Sequence, residues 1–197
     1  MSAFSGLRCA MCKTEFPPEA LYVCDQCLGP LEAYYDYEQA GQTLTREALA
    51  RRDQNLWRYR ELLPIVGEPR TGLDSGFTPL VRARRLAEIL RVKELYIKDD
   101  SVNHPTLSYK DRVVPIAATR ALELGFDTFG CASTGNLGNS VAAHAARLGL
   151  TCYVFIPQDL EPGKVLGSAV AGPHLVGIDG NYDDVNRLCS ELGDDRR

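Results

Sequence analysis

The chain has 197 residues, 45% hydrophobic and 24% charged, with a formal net charge of −4. That balance suits one globular domain, or one plus a small appendage, and it excludes a disordered acidic tail, a collagen-like repeat and a basic nucleic-acid binder. No apolar run approaches the roughly 18 residues of a membrane span. Residues 1–8 lack the apolar core of a signal peptide. The expectation is therefore a cytoplasmic protein with neither nucleic acid nor membrane as partner.

Residues 1–33 hold four of the seven cysteines, as Cys9-Ala-Met-Cys12 and Cys24-Asp-Gln-Cys27 with 11 residues between. Two CxxC turns place four thiolates around one tetrahedral ion, and such an ion staples a segment too short for its own core. The spacing predicts structural zinc on Cys9, Cys12, Cys24 and Cys27 in a zinc-ribbon-like segment. Four metal-free cysteines are the plainer alternative and a redox CxxC the third. An odd cysteine count in a reducing compartment argues against a disulfide framework. Cys131, Cys152 and Cys189 lie in or beside apolar stretches and read as buried structural thiols.

Residues 34–75 are charged and Tyr-rich, with one basic helix predicted over Thr45–Leu63. Pro64, Gly67, Pro69 and Gly72 then mark a loop. From Gly76 onward strands and helices alternate. Strands are predicted at 95–98, 128–131, 152–156 and 174–178. Helices are predicted at 108–125, 136–148 (closed by Gly149), 160–171 and 182–192. This alternation means βαβ units, hence an α/β fold with a parallel sheet and helices on both faces. There is no internal repeat. The chain stops after a helix, and a sheet of three or four strands keeps an open edge, which reads as a truncated fold.

Two loops carry chemistry. In Asn103-His-Pro-Thr-Leu-Ser-Tyr-Lys110-Asp-Arg112, Ser108 and Asp111 have capping-box spacing, so a helix starts near Tyr109. Lys110 then sits in the first turn. The positive end of the helix disfavours a cation there and favours the neutral amine that a Schiff base needs. Taken in isolation, the same residues describe an ordinary exposed lysine beside a solvated Asp111–Arg112 pair. The second loop, Cys131-Ala-Ser-Thr-Gly-Asn-Leu-Gly-Asn-Ser140, runs from a strand end into a helix. Ligands bind there in open α/β sheets. Ser133 and Thr134 bring hydroxyls, Gly135 permits close approach, and the free N–H groups of the helix start form an anion site. A plain helix cap is the alternative. Neither a Walker loop nor a dinucleotide fingerprint fits the glycine spacing. His104, His144 and His174 show no metal spacing. His104 alone of the three is placed to touch a ligand, and His144 reads as a packing residue.

Together the two loops resemble those of the fold type II pyridoxal-phosphate enzymes, the tryptophan-synthase-β-like group, and most of all its threonine synthase branch. Ser108-Tyr-Lys-Asp-Arg112 matches S-[FY]-K-D-R, Ala132-Ser-Thr-Gly-Asn136 matches A-S-T-G-N, and Gly76-Phe-Thr-Pro-Leu80 matches G-x-T-P-L. Trp57–Pro64 and Leu95–Asn103 are similar to family segments, and paired CxxC motifs occur in some members. The resemblance implies that Lys110 carries pyridoxal phosphate as a Schiff base and later shuttles protons. It implies that Asn136 binds the cofactor ring oxygen and that Ser133, Thr134 and Gly135 hold the substrate carboxylate. Asp111 and Arg112 are then support rather than catalysts. The implied reaction converts O-phosphohomoserine and water to L-threonine and phosphate.

This sequence departs from the pattern in three places. Val113 stands where Gly is common, Ser75 where Glu is common, and Pro115 falls inside the helix and should kink it. Members of the family are about twice as long. The expected organisation is a ribbon over 1–33, the N-terminal part of the large domain over 34–106 and a small α/β domain over 107–197. The C-terminal half, with the groups for the cofactor phosphate and pyridine nitrogen, is missing. Such a fragment is expected to have little activity alone, and the full-length enzyme is expected to be a homo-oligomer. The alternatives are another enzyme of the same fold (cysteate or cysteine synthase, threonine dehydratase, a diaminopropionate lyase) or a non-catalytic zinc-ribbon adaptor.

Overall fold

The computed structural model describes residues 2–71 and 73–195. The chain divides into two compact units, one built from residues 1–72 and 116–127, the other from 73–115 and 128–197.

In the first unit, β1 (Phe4–Cys9) lies between β2 (Glu15–Phe16) and β3 (Leu31–Tyr35), all antiparallel. The register slips between Phe4 and Gly6. Gly6 sits at φ 145°, and a Cβ there would stand 2.6 Å from the Phe16 carbonyl oxygen, so only glycine fits this bulge. The two cysteine knuckles are built alike. Cys9 N–H donates to Thr14 O and Lys13 N–H to Cys9 O, just as Cys24 N–H donates to Gly29 O and Leu28 N–H to Cys24 O. Lys13 and Leu28, each four residues past its first cysteine, are both left-handed. This is a structural repeat that the sequence shows only as CxxC.

The single helix expected over Thr45–Leu63 is absent. A helix α1 (Tyr37–Thr43), capped by Asp36, is followed by a short α2 (Arg46–Arg51), capped by Thr45. A 3-10 segment then runs over Leu56–Leu62. Arg52 is extended, and the Asn55 side chain accepts from Trp57 N–H. Asp53-Gln-Asn55 thus competes with the helix for backbone partners. Leu56, Leu63 and Ile65 form this unit's core with Trp57 and Ile116. Glu61, 1% exposed, is clamped by Arg52 at 2.5 and 2.7 Å.

In the second unit, β4 (Leu80–Arg82) and β5 (Tyr96–Lys98) pair antiparallel across α3 (Arg84–Leu90). The strand expected at 95–98 therefore lies outside the parallel sheet. Helix α4 (Lys110–Glu123) carries Pro115 inside it, and its residues from Ile116 on belong to the first unit. Then follow β6 (Thr128–Ala132), α5 (Asn136–Leu148), β7 (Thr151–Pro157), α6 (Pro162–Ala169), β8 (His174–Ile178) and α7 (Tyr182–Asp195). Strands β6, β7 and β8 are parallel in that order. One core joins Val114, Val141, Ala142 and Ala145 to Cys152, Val154 and Ile156. The other packs Val185 of α7 against Ala132 and Phe155. Because β7 alternates its side chains between these two cores, helices cover both faces of the sheet.

Candidate active site

Lys110 opens α4, and Ser108 Oγ accepts its N–H at 3.3 Å. The expected capping box is half made. Asp111 does not reach back to the start of the helix because both its oxygens are engaged elsewhere. Oδ2 accepts from the N–H and hydroxyl of Thr106 at 2.9 and 2.8 Å, and Oδ1 from Ser140 Oγ at 2.6 Å. Burial pushes this carboxyl up, but the nearby His144 ring, 3.5 Å away, and the donors Ser140 and Thr106 outweigh it and hold it below the ordinary value. Asp111 is fully buried, so the solvated Asp111–Arg112 pair is corrected. Arg112 instead pairs with Asp100, Nε to Oδ2 at 2.6 Å and Nη2 to Oδ1 at 2.7 Å. Thr78 Oγ1 donates to Asp100 Oδ1 at 2.6 Å and accepts from Arg112 at 2.9 Å. The G-F-T-P-L turn is thereby tied to the lysine helix. Asn103 makes a second tie, accepting from Gly76 N–H and donating to Ser108 O, both at 2.8 Å.

The Lys110 amine lies 4.8 Å over the Tyr109 ring. Among the described residues no carboxylate pairs with it. Ser140 lies one helical turn beyond Asn136, so the Asp111–Ser140 bond ties the start of α4 to the first turns of α5.

Ser133 ends β6, its N–H donating to Phe155 O at 3.1 Å. Its buried hydroxyl oxygen accepts from Gly135 N–H at 3.3 Å and Gly138 N–H at 2.9 Å. It thus caps α5. Among the described residues, the N–H groups of Thr134, Asn136 and Leu137 make no hydrogen bond to protein. A Cβ built on Gly135 meets nothing within 4 Å. The loop is an open nest of N–H groups at the positive end of a 13-residue helix. His104 contributes its backbone oxygen, which accepts from Ser75 Oγ at 2.9 Å. Asn103, Thr106, Asp100, Thr78 and Ser140 were not singled out from sequence. The signal that could have found them is a polar residue fully inside a predicted turn or helix face.

In the ribbon, the four sulfurs of Cys9, Cys12, Cys24 and Cys27 lie within 4.8 Å of one another. Cys9–Cys27 is 3.4 Å and Cys12–Cys24 3.6 Å. Tetrahedral zinc with Zn–S of ~2.3 Å demands sulfur separations of about 3.8 Å. The N–H groups of Met11 and Cys12 point at Cys9 Sγ, at 3.4 and 3.5 Å. The donor set therefore fits a zinc ion held by four thiolates. Burial pushes the Cys131 thiol up to about 12 and Cys152 up to about 11, so both are inert.

Residues 73–197 match the family described as pyridoxal-phosphate dependent enzyme. The chain belongs to this family. It is similar to threonine synthase of Methanocaldococcus jannaschii, 40% identical over 192 residues, which is 96% of this chain and 47% of the relative. Threonine synthase of Methanosarcina acetivorans is 38% identical over 94% of this chain and 46% of its own length. The chain spans about half the length of these curated relatives. Among solved structures, a processed threonine deaminase isoform from Solanum lycopersicum superposes with a TM-score of 0.57 at 21% identity, over 81% of this chain and 39% of its own. That likeness shows the shared fold. The site suits the family's cofactor in its chemistry, because among the described residues the Lys110 amine has no acid partner and the start of α5 offers open N–H donors. Among the described residues no helix is long and apolar enough to cross a membrane.

Proposed function

We propose that this chain is the N-terminal half of a threonine synthase, a cytoplasmic enzyme that converts O-phosphohomoserine and water to L-threonine and phosphate. The observation that carries the reading is 40% identity to a threonine synthase over 96% of the chain. Pyridoxal phosphate, when bound, supplies the electron sink for bonds broken at the amino-acid substrate. Lys110 holds the cofactor and moves protons at Nζ. Asn136 donates from its amide to the cofactor ring oxygen. Ser133, Thr134 and Gly135 hold the substrate carboxylate, the backbone N–H groups supplying the charge complement that the helix start favours. Cys9, Cys12, Cys24 and Cys27 hold a structural zinc ion. Residues 34–106 belong to the large domain and 107–197 to the small one. The groups for the cofactor phosphate and ring nitrogen are assigned to the other half of the family fold, and the complete enzyme is a homo-oligomer.

The test mixes this chain with the C-terminal half of the Methanocaldococcus relative and measures phosphate release from O-phosphohomoserine. Turnover that disappears in Lys110→Ala supports the reading. Turnover only with O-phosphoserine and sulfite replaces it with a cysteate synthase. Absence of both, with no borohydride-stable cofactor on Lys110, refutes it.

A further inference from the structure

Asp111, Ser140 and His144 are all fully buried. Burying a carboxylate is expensive, and an apolar side chain of similar size often serves stability as well or better. The charge is nevertheless surrounded closely. Thr106 gives Oδ2 two hydrogen bonds, Ser140 gives Oδ1 one, and His144 Nε2 stands 3.5 Å from Oδ1. Neither ring nitrogen of His144 has a hydrogen-bond partner among the described residues. The imidazole therefore faces the carboxylate with no competing interaction.

We propose that Asp111 is a positioning residue: its carboxylate locks the turn before the lysine to the helix that carries Asn136, and so sets where the Lys110 amine points. Residues 106–111 become a closed loop, since the side chain of the last holds both donors of the first. Leu107, inside it, is left-handed at φ 59°, a conformation that such a closure sustains. On the other side, Ser140 fixes α5 against the same carboxylate. One buried group thus sets the spacing between the starts of α4 and α5. Lys110, the preceding residue in the same helical turn, has no freedom except in its own side chain.

The inference rests on Lys110 as the cofactor lysine, and the experiment separates the two. Wild type, Asp111→Asn and Ser140→Ala, each mixed with the C-terminal half of the Methanocaldococcus relative, are treated with pyridoxal 5′-phosphate and borohydride, and capture at Lys110 is timed by peptide mass. Acetylation of Lys110 and of exposed Lys164 is timed in parallel. Circular dichroism of each variant reports an intact fold. Displacing a reacting group by an ångström costs up to ~100-fold, so capture at Lys110 is expected to slow about tenfold in Asp111→Asn and less in Ser140→Ala. Acetylation of Lys110 should meanwhile rise toward the rate of Lys164, with the spectrum unchanged. Capture unchanged in both variants, with a native spectrum, overturns the proposal. If Asp111→Asn loses the native spectrum, Ser140→Ala alone decides. If wild type captures no cofactor at Lys110, the cofactor reading fails, and the acetylation rate of Lys110 decides positioning by itself.

Discussion

Asp100→Asn tests whether the G-F-T-P-L turn is tied to the lysine helix by charge. Asp100 accepts two bonds from Arg112 at 2.6 and 2.7 Å and one from Thr78 at 2.6 Å. The Arg112 guanidinium holds its carboxyl down at about 2, against an ordinary 3.8. At ~1.4 kcal/mol per pKa unit this corresponds to roughly 2 kcal/mol. The side chains are 21% and 33% exposed, so solvent screening reduces the contribution to about 1–2 kcal/mol. Because the folded value is depressed, this stability is full above the ordinary carboxylate pKa and is lost as pH falls through about 2. For a chain of this size, ~2–4 °C accompanies each kcal/mol. Asp100→Asn should therefore melt about 2–8 °C below wild type at pH 7. The two curves should converge as the pH approaches 2. Melting followed by circular dichroism between pH 7 and pH 2.5 measures this. A gap that stays constant with pH, or no gap at pH 7, refutes the argument.

The ribbon should bind one zinc ion per chain. Cobalt substitution should give a four-thiolate spectrum, and Cys24→Ser should abolish stoichiometric metal in elemental analysis. Gly29→Ala places a Cβ 2.9 Å from Cys9 Sγ and 2.8 Å from Met11 Cγ; overpacking of this kind costs about 1–3 kcal/mol, to be read as weaker metal retention against a chelator. Glu61→Ala strands the Arg52 guanidinium opposite an empty, buried position and should cost about 3–5 kcal/mol in denaturant titration, whereas Arg8, whose partner Glu15 is exposed, should tolerate Glu15→Ala within about 1 kcal/mol. Gly138→Ala brings a Cβ within 3.1 Å of Val154 Cγ1 and Ser168 Oγ. It should lower the melting temperature more than Gly163→Ala, where a Cβ meets nothing within 4 Å.

Local chemistry sufficed for much of this protein. Helix α5 and strand β8 have the bounds that periodicity, a capping glycine and a short apolar run predict. The four-sulfur cluster followed from CxxC spacing because a tetrahedral ion needs two tight turns and nothing remote. The lysine at a helix start and the donor-rich loop after a strand were equally legible, since both are features of a few consecutive residues. Residues distant in sequence decided the rest. Asp111 has the spacing of a capping residue, yet Ser140, 29 positions on, gives its carboxylate a buried partner that the start of α4 cannot match. Arg112 and Asp111 are neighbours that turn to different partners, because the helix directs successive side chains about 100° apart. Strand β5 has the apolar character of a sheet strand, but β4 claims its edge, and strand pairing is a choice between separated segments that neither encodes alone. Thr45–Leu63 carries helical residues throughout, and the helix still ends at Arg51, where the Arg52 guanidinium finds Glu61 and the Asn55 amide finds a backbone donor.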